Sequence, residues 1–233
     1  RDGPSASSGQ ARYGGLGVLK AIKNIEEKIV PELAGTEAAE QEKIDDIMIK
    51  LDGTKNKSQL GANAILSVSL ACARAGALAQ GQELYEYISK TYELGDRYTM
   101  PTPCFNIFNG GKHADTNLDF QEFMIIPVLK ASFKDKVMAG AEIFHSLGRV
   151  LKSAGFDTDV GNEGGYAPDI ASSIQAIELI MAATIKAGFK PGGQIALGVD
   201  VGSSQLYNKA DGKYVFKLDQ ASFTAATLTG LYY

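Results

Sequence analysis

The chain reads as an α/β protein in two parts, a helical first part and then a second part ordered strand, strand, helix, helix, strand. Three observations predict this. Apolar residues recur at helical spacing through the first part. Turn residues and the prolines Pro101 and Pro103 then interrupt that pattern between residues 91 and 103, which marks a domain boundary. Beyond it two apolar runs of strand length, residues 103–108 and 120–128, follow each other with only a loop between them. The expected domains are residues 1–97 and 98–233.

Residues 1–10 are rich in Ser and Gly, show no hydrophobic signal-peptide core, and read as a loop or a cut end. Val18, Ile22, Ile25 and Ile29 then form one helical face that Pro31 should stop. Ile44, Ile47, Met48 and Leu51 make a second face, closed by Asp52-Gly53 as a turn. Residues 60–78 form an alanine-rich helix. The run 61–79 is long enough to raise a membrane question, but it carries Asn63, Ser67, Ser69 and Arg74 and is expected as a buried helix instead. A short helix over 83–90 completes this part.

In the second part, Phe133, Val137, Ala141, Phe144, Leu147 and Leu151 set a helix over 132–153, with His145 inside it as a packing or surface residue. Ser172 with Gln175 signals a capping box at the start of the next helix, which Gly188 should end. Residues 194–201 are an apolar strand with one acid, Asp200, near its end. A hairpin around Asp211-Gly212 and the beginning of a helix follow.

With 233 residues, 45% of them hydrophobic, the chain can bury a sizeable core. A net charge of -4 and the lack of any Lys/Arg block argue against nucleic acid or an anionic membrane as the main partner. Cys72 and Cys104 lie in apolar sequence without metal-ligand or redox spacing. Both are expected as buried free thiols of a reducing compartment, hence a cytoplasmic protein.

Chemistry is expected in two glycine-rich loops. Residues 109–123 place one of the two histidines, His113, and the pair Gln121-Glu122 behind paired glycines; residues 159–168 place Glu163 between glycines. Singly, each has an ordinary structural reading as a turn, cap or surface group. Together with Asp200 the two glutamates make a carboxylate-rich pocket, where like charges raise the pKa of one acid and let it serve as a general acid. A divalent cation is the natural counter-charge, and Asp200 is the candidate ligand, since hard oxygen donors suit magnesium. Neither a nucleophile elbow nor a phosphate-binding P-loop occurs.

Five ordered segments, among them residues 12–15 (Arg-Tyr-Gly-Gly), 60–66 (Leu-Gly-Ala-Asn-Ala-Ile-Leu), 109–124, 161–168 and 199–204, closely resemble the enolase family, in a bacterial-like form with His-Ala-Asp at 113–115. The resemblance implies an N-terminal capping domain, here partial and mostly helical, and the first portion of a modified eight-stranded α/β (TIM) barrel. It further implies magnesium-dependent dehydration of 2-phosphoglycerate to phosphoenolpyruvate in glycolysis, and a homodimer. The resemblance matches Glu163 with the proton-donor glutamate, and Glu122 with the acid beside it that supports proton transfer and binds substrate. Gln121 and His113 match substrate-binding positions, and Asp200 the first of three Mg2+ carboxylates.

Three departures stand out. Asn162 replaces a common aspartate beside the donor. The residues 4–9 run reads as an insertion rather than as the family's mobile serine loop. The catalytic lysine and two further metal carboxylates find no match, so the sequence is expected to be a fragment, inactive alone. The competing reading, a non-catalytic binding or assembly module, rests on those missing groups. A superfamily member acting on another acid is disfavoured by the close fit of residues 161–168.

Overall fold

The computed structural model describes residues 16–232; the Arg12-Tyr13-Gly14-Gly15 motif and the 4–9 insertion lie outside the described residues. The chain divides after Tyr98 into two compact units.

The first unit is helical, as its periodicity requires. Helix α1 (Leu16–Asn24) runs into a π-helical turn (Ile25–Ile29) and then α2 (Val30–Leu33). Pro31 does not stop the helix. It sits in the first turn of α2, where a missing N–H is tolerated, while the Val30 N–H spans the π turn to Ile25 O. The packed stripe also differs from the expected one: Val18 and Ile22 are exposed, while Ile29 is buried and Gly17 faces inward. Asn24 is buried as well, its amide donating to Leu60 O at 2.7 Å.

Helix α3 (Gln41–Asp52) buries Ile44 and Met48 and ends at Gly53, whose φ of 66° suits glycine. Helix α4 (Ala62–Ala79) starts two residues later than expected, because Leu60 is drawn into the core. By length and composition α4 passes for a membrane span, but only 22% of it is buried. The expected buried helix is therefore corrected to a half-covered one. Its small residues Ala64, Ala73, Gly76 and Ala77 pack inward, while Leu66, Leu70 and Leu78 face out. Helix α5 (Leu84–Thr91) carries a Glu83/Glu86 capping box, and its Tyr87 hydroxyl donates to Ala39 O.

The second unit opens with a three-stranded sheet ordered β1 (Phe105–Asn109), β2 (Glu122–Pro127), β3 (Ile195–Asp200), all antiparallel. Between β2 and β3 lie α6 (Phe133–Ser153) and α7 (Ser173–Lys186). Strand, strand, helix, helix, strand is thus the observed order. In β2 the residues alternate, Phe123, Ile125 and Pro127 turning to the core and Glu122, Met124 and Ile126 to the other face. Ser132 and Ser172 accept from the N–H groups of Asp135 and Gln175. The Gln175 side chain reaches one residue further back than a capping box requires, taking the Ala171 N–H at 2.7 Å.

Past β3 come a short helix α8 (Ser203–Leu206), a second small sheet of β4 (Tyr207–Asn208), β5 (Lys213–Phe216) and β6 (Ala221–Phe223), and α9 (Ala225–Leu231). Phe216 of β5 meets Phe120 edge to face, which ties this sheet into the core under the main one. The cysteines are free thiols but not buried ones: Cys72 is half-buried, and Cys104 is exposed in the irregular segment before β1.

Candidate active site

Register assembles the site. At one end of the sheet Asn109, Glu122 and Asp200 stand side by side on three neighbouring strands. Directly opposed residues share a face, so β2 carries Glu122 between the other two. A bulge at Ile107 interrupts β1 between Asn106 and Phe108, and it brings Asn106 opposite Met124 and Asn109 opposite Glu122. Both asparagines therefore face the site, although they are three apart in a strand.

Glu163 arrives from the loop between α6 and α7, which docks on the free edge of β1. Tyr166 N–H donates to Ile107 O at 2.9 Å and Asn109 N–H to Tyr166 O at 2.8 Å. The Tyr166 ring stacks on Phe144 of α6 at 4.5 Å, anchoring the loop from behind. Glycine is needed for this approach: a Cβ on Gly161 would lie 2.8 Å from both Asn109 Nδ2 and His113 O, and one on Gly165 would strike Asn109 Oδ1. The His113 loop is fastened to the same segment. Asn162 N–H donates to His113 O at 2.9 Å, Thr116 Oγ1 to Pro168 O at 2.8 Å, and Asn117 exchanges two bonds with the Ile170 backbone at 2.7 and 3.0 Å.

These docked loops bring three of the expected side chains together. His113 Nδ1 lies 3.5 Å from Glu122 Oε1 and 3.2 Å from Glu163 Oε2. Glu122 is the more enclosed acid, with 18% of its side chain exposed against 47% for Glu163. Its carboxyl is pushed above the usual range, first by burial, then by the hydrogen bond and charge of Glu163, with Asp200 adding and His113 opposing. Glu122 thereby keeps its proton at pH values where an isolated glutamate would have lost it.

Gln121 is held beside the trio rather than in it. Gly111 and Gly202 clamp it, since an added Cβ would come within 3.1 Å of its Cγ at the first and within 2.6 Å at the second. Asp200 stands at the end of β3, exposed, with Oδ1 accepting the Gly202 N–H at 2.9 Å. That bond orients the carboxylate and leaves a hard oxygen donor at the sheet end. It fits a magnesium ion, which takes few carboxylates and keeps several waters; the imidazole of His113 suits such an ion poorly.

Sequence reasoning missed Asn106 and Asn109. Asn106 Nδ2 donates to Glu163 Oε2 at 3.4 Å. Asn109 is fully buried, and neither atom of its amide has a hydrogen-bond partner among the described residues. The Asn-Gly-Gly step after an apolar run was the available signal, but it is also what an ordinary turn looks like.

The fold and site define an α/β type of chain that gathers carboxylates at strand ends and in docked loops. Residues 97–233 match the family model described as Enolase, C-terminal TIM barrel domain, and residues 2–88 the one described as Enolase, N-terminal domain. The chain belongs to the enolase family, a family of lyases that implies a divalent metal ion.

Proposed function

We propose that these residues form the acid side of a magnesium-dependent phosphopyruvate hydratase site, which converts 2-phosphoglycerate to phosphoenolpyruvate in glycolysis. The observation that carries the reading is the convergence of Glu122 and Glu163 on His113 Nδ1, at 3.5 and 3.2 Å, where the Glu163 loop docks beside the strand end. In it Glu163 donates the proton with which the 3-hydroxyl leaves as water. Glu122, enclosed beside it, is the acid whose carboxyl burial pushes up, and the exposure of Glu163 lets it reach substrate. His113 and Gln121 bind substrate; the clamp on Gln121 fixes its amide. Asp200 would hold Mg2+, which would supply positive charge against the negative charge that develops on the substrate carboxylate. The lysine base that this chemistry needs has no counterpart assigned in residues 1–233, so activity is tested on the complete gene product, and the 233-residue chain alone is expected to be inactive. The domain limits at residues 97 and 98, a homodimer and a cytoplasmic location belong to the same proposal, the last supported by the two free thiols.

The test separates proton abstraction from dehydration. In the complete protein with Mg2+, Glu163→Gln should lower formation of the enol phosphate by about 10²–10⁴-fold, while exchange of the substrate C2 proton with solvent continues. Full dehydration by the variant would overturn the assignment of Glu163, and no turnover by the wild type would overturn the reaction.

A further inference from the structure

The His113, Glu122 and Glu163 trio has a second use that the dehydration chemistry does not require. His113 Nδ1 is buried and has no hydrogen-bond partner among the described residues, yet it faces two carboxylate oxygens. An imidazole lone pair aimed at two acids needs a positive charge between them. A proton meets that need, and so does a metal ion.

Distance and donor type favour a particular kind of ion. Donors about 2.0–2.1 Å from a tetrahedral centre are separated from one another by about 3.3–3.4 Å. The two separations from Nδ1, 3.2 and 3.5 Å, bracket that spacing. All three donor atoms lie within 4.8 Å of one another, and the Glu163 side chain, partly exposed and held only by the 3.4 Å bond from Asn106 Nδ2, has room to close the remaining edge. One nitrogen and two oxygens match zinc, whereas magnesium demands near-octahedral oxygen ligation. Three protein donors, one of them the partly exposed Glu163, leave a fourth position open to water. The donors are also held in advance. His113 is fixed through its own N–H to Gly110 O at 2.9 Å and its carbonyl from Asn162 N–H at 2.9 Å, one residue before Glu163.

We propose that His113 Nδ1, Glu122 and Glu163 bind one tetrahedral transition-metal ion, Zn2+, at a site different in donor set from the oxygen site at Asp200. Binding itself does not depend on the proposed reaction. Its consequence does: an ion on both glutamates would occupy the acid pair and inhibit dehydration.

Titrating Co2+ into the purified chain in excess Mg2+ tests binding optically. The expected result is the intense visible absorption of four-coordinate cobalt, saturating at one equivalent and abolished by one equivalent of Zn2+. His113→Ala should remove the band, Glu163→Gln should weaken Zn2+ binding at least tenfold, and Asp200→Asn should leave the band in place. In the wild-type chain, the ¹⁵N resonance of His113 Nδ1 should shift on adding Zn2+, which reads the ligand directly even if a variant fails to fold. A weak octahedral spectrum, an unchanged Nδ1 resonance, or a band that survives His113→Ala would overturn the site. Because none of these readouts uses turnover, failure of the dehydratase reading leaves them intact.

Discussion

Two enclosed carboxylates, Asp52 in the helical unit and Glu122 in the sheet, answer burial in opposite ways. Asp52, 1% exposed, ends α3 and accepts the Leu60 N–H at 2.7 Å, the Thr54 N–H at 3.0 Å and the Thr54 hydroxyl. Burial pushes its carboxyl up, but the hydrogen bonds from the Leu60 backbone and from Thr54 outweigh it and hold the group below its usual range. Glu122 meets another acid instead, and its carboxyl rises. Enclosure alone therefore makes no general acid; what the carboxylate faces decides whether it becomes a structural staple or a proton store.

The largest effect should come from breaking the staple. Asp52→Ala strands the buried Leu60 N–H and the half-buried Thr54 N–H and should cost about 2–4 kcal/mol in the chemical denaturation of the helical unit. A loss below about 0.5 kcal/mol would mean that the 53–60 turn is held by other means.

A somewhat smaller loss is expected at the third acid, Asp200, which has a single N–H to orient it. Gly202→Ala places a side chain at a φ of 58° and against Gln121. It should cost roughly 1–3 kcal/mol and weaken substrate binding in the complete protein. An unchanged melting temperature and KM would show that the clamp on Gln121 is slack.

The pH dependence carries the comparison's sign. Asp52, lowered from 3.8, contributes stability that is present above that value and is lost as pH falls through its lower native value. Glu122, raised from 4.5, does the reverse: its contribution is present below that value and lost as pH rises through the higher native one. Glu122→Gln should therefore leave stability little changed in acid and raise it modestly near neutrality, whereas Asp52→Asn should lower it near neutrality and matter less in acid. Parallel pH curves for the two variants would break the distinction. The smallest effect is spectroscopic: Glu163→Gln should move the titration of Glu122, followed by carboxyl ¹³C shifts, back toward 4.5.

Much of this is legible in the amino-acid sequence. Strand and helix order in the second unit followed from periodicity, because a two-residue repeat and a 3.6-residue repeat are local properties of the chain. His113, Gln121, Glu122, Glu163 and Asp200 were all named, since glycine-rich loops and strand ends mark themselves by composition. The helical unit was less transparent. A π turn carries Pro31 past its expected stop, and α4 buries only its small residues, neither of which a hydrophobic pattern encodes. Asp52 read as a mere turn residue because its donors at Thr54 and Leu60 are placed only when the chain folds back.

The sequence by itself determined which residue types were available, which elements would form, and the family to which the chain belongs. Tertiary structure alone decided the charges. Glu122 and Glu163 are 41 residues apart in sequence, and whether they repel, share a proton or hold an ion depends on separations of a few ångströms, because Coulomb energy is set by distance and dielectric rather than by order along the chain. The bulge at Ile107, the edge docking of the Glu163 loop and the bond from Asn162 to His113 supply those separations.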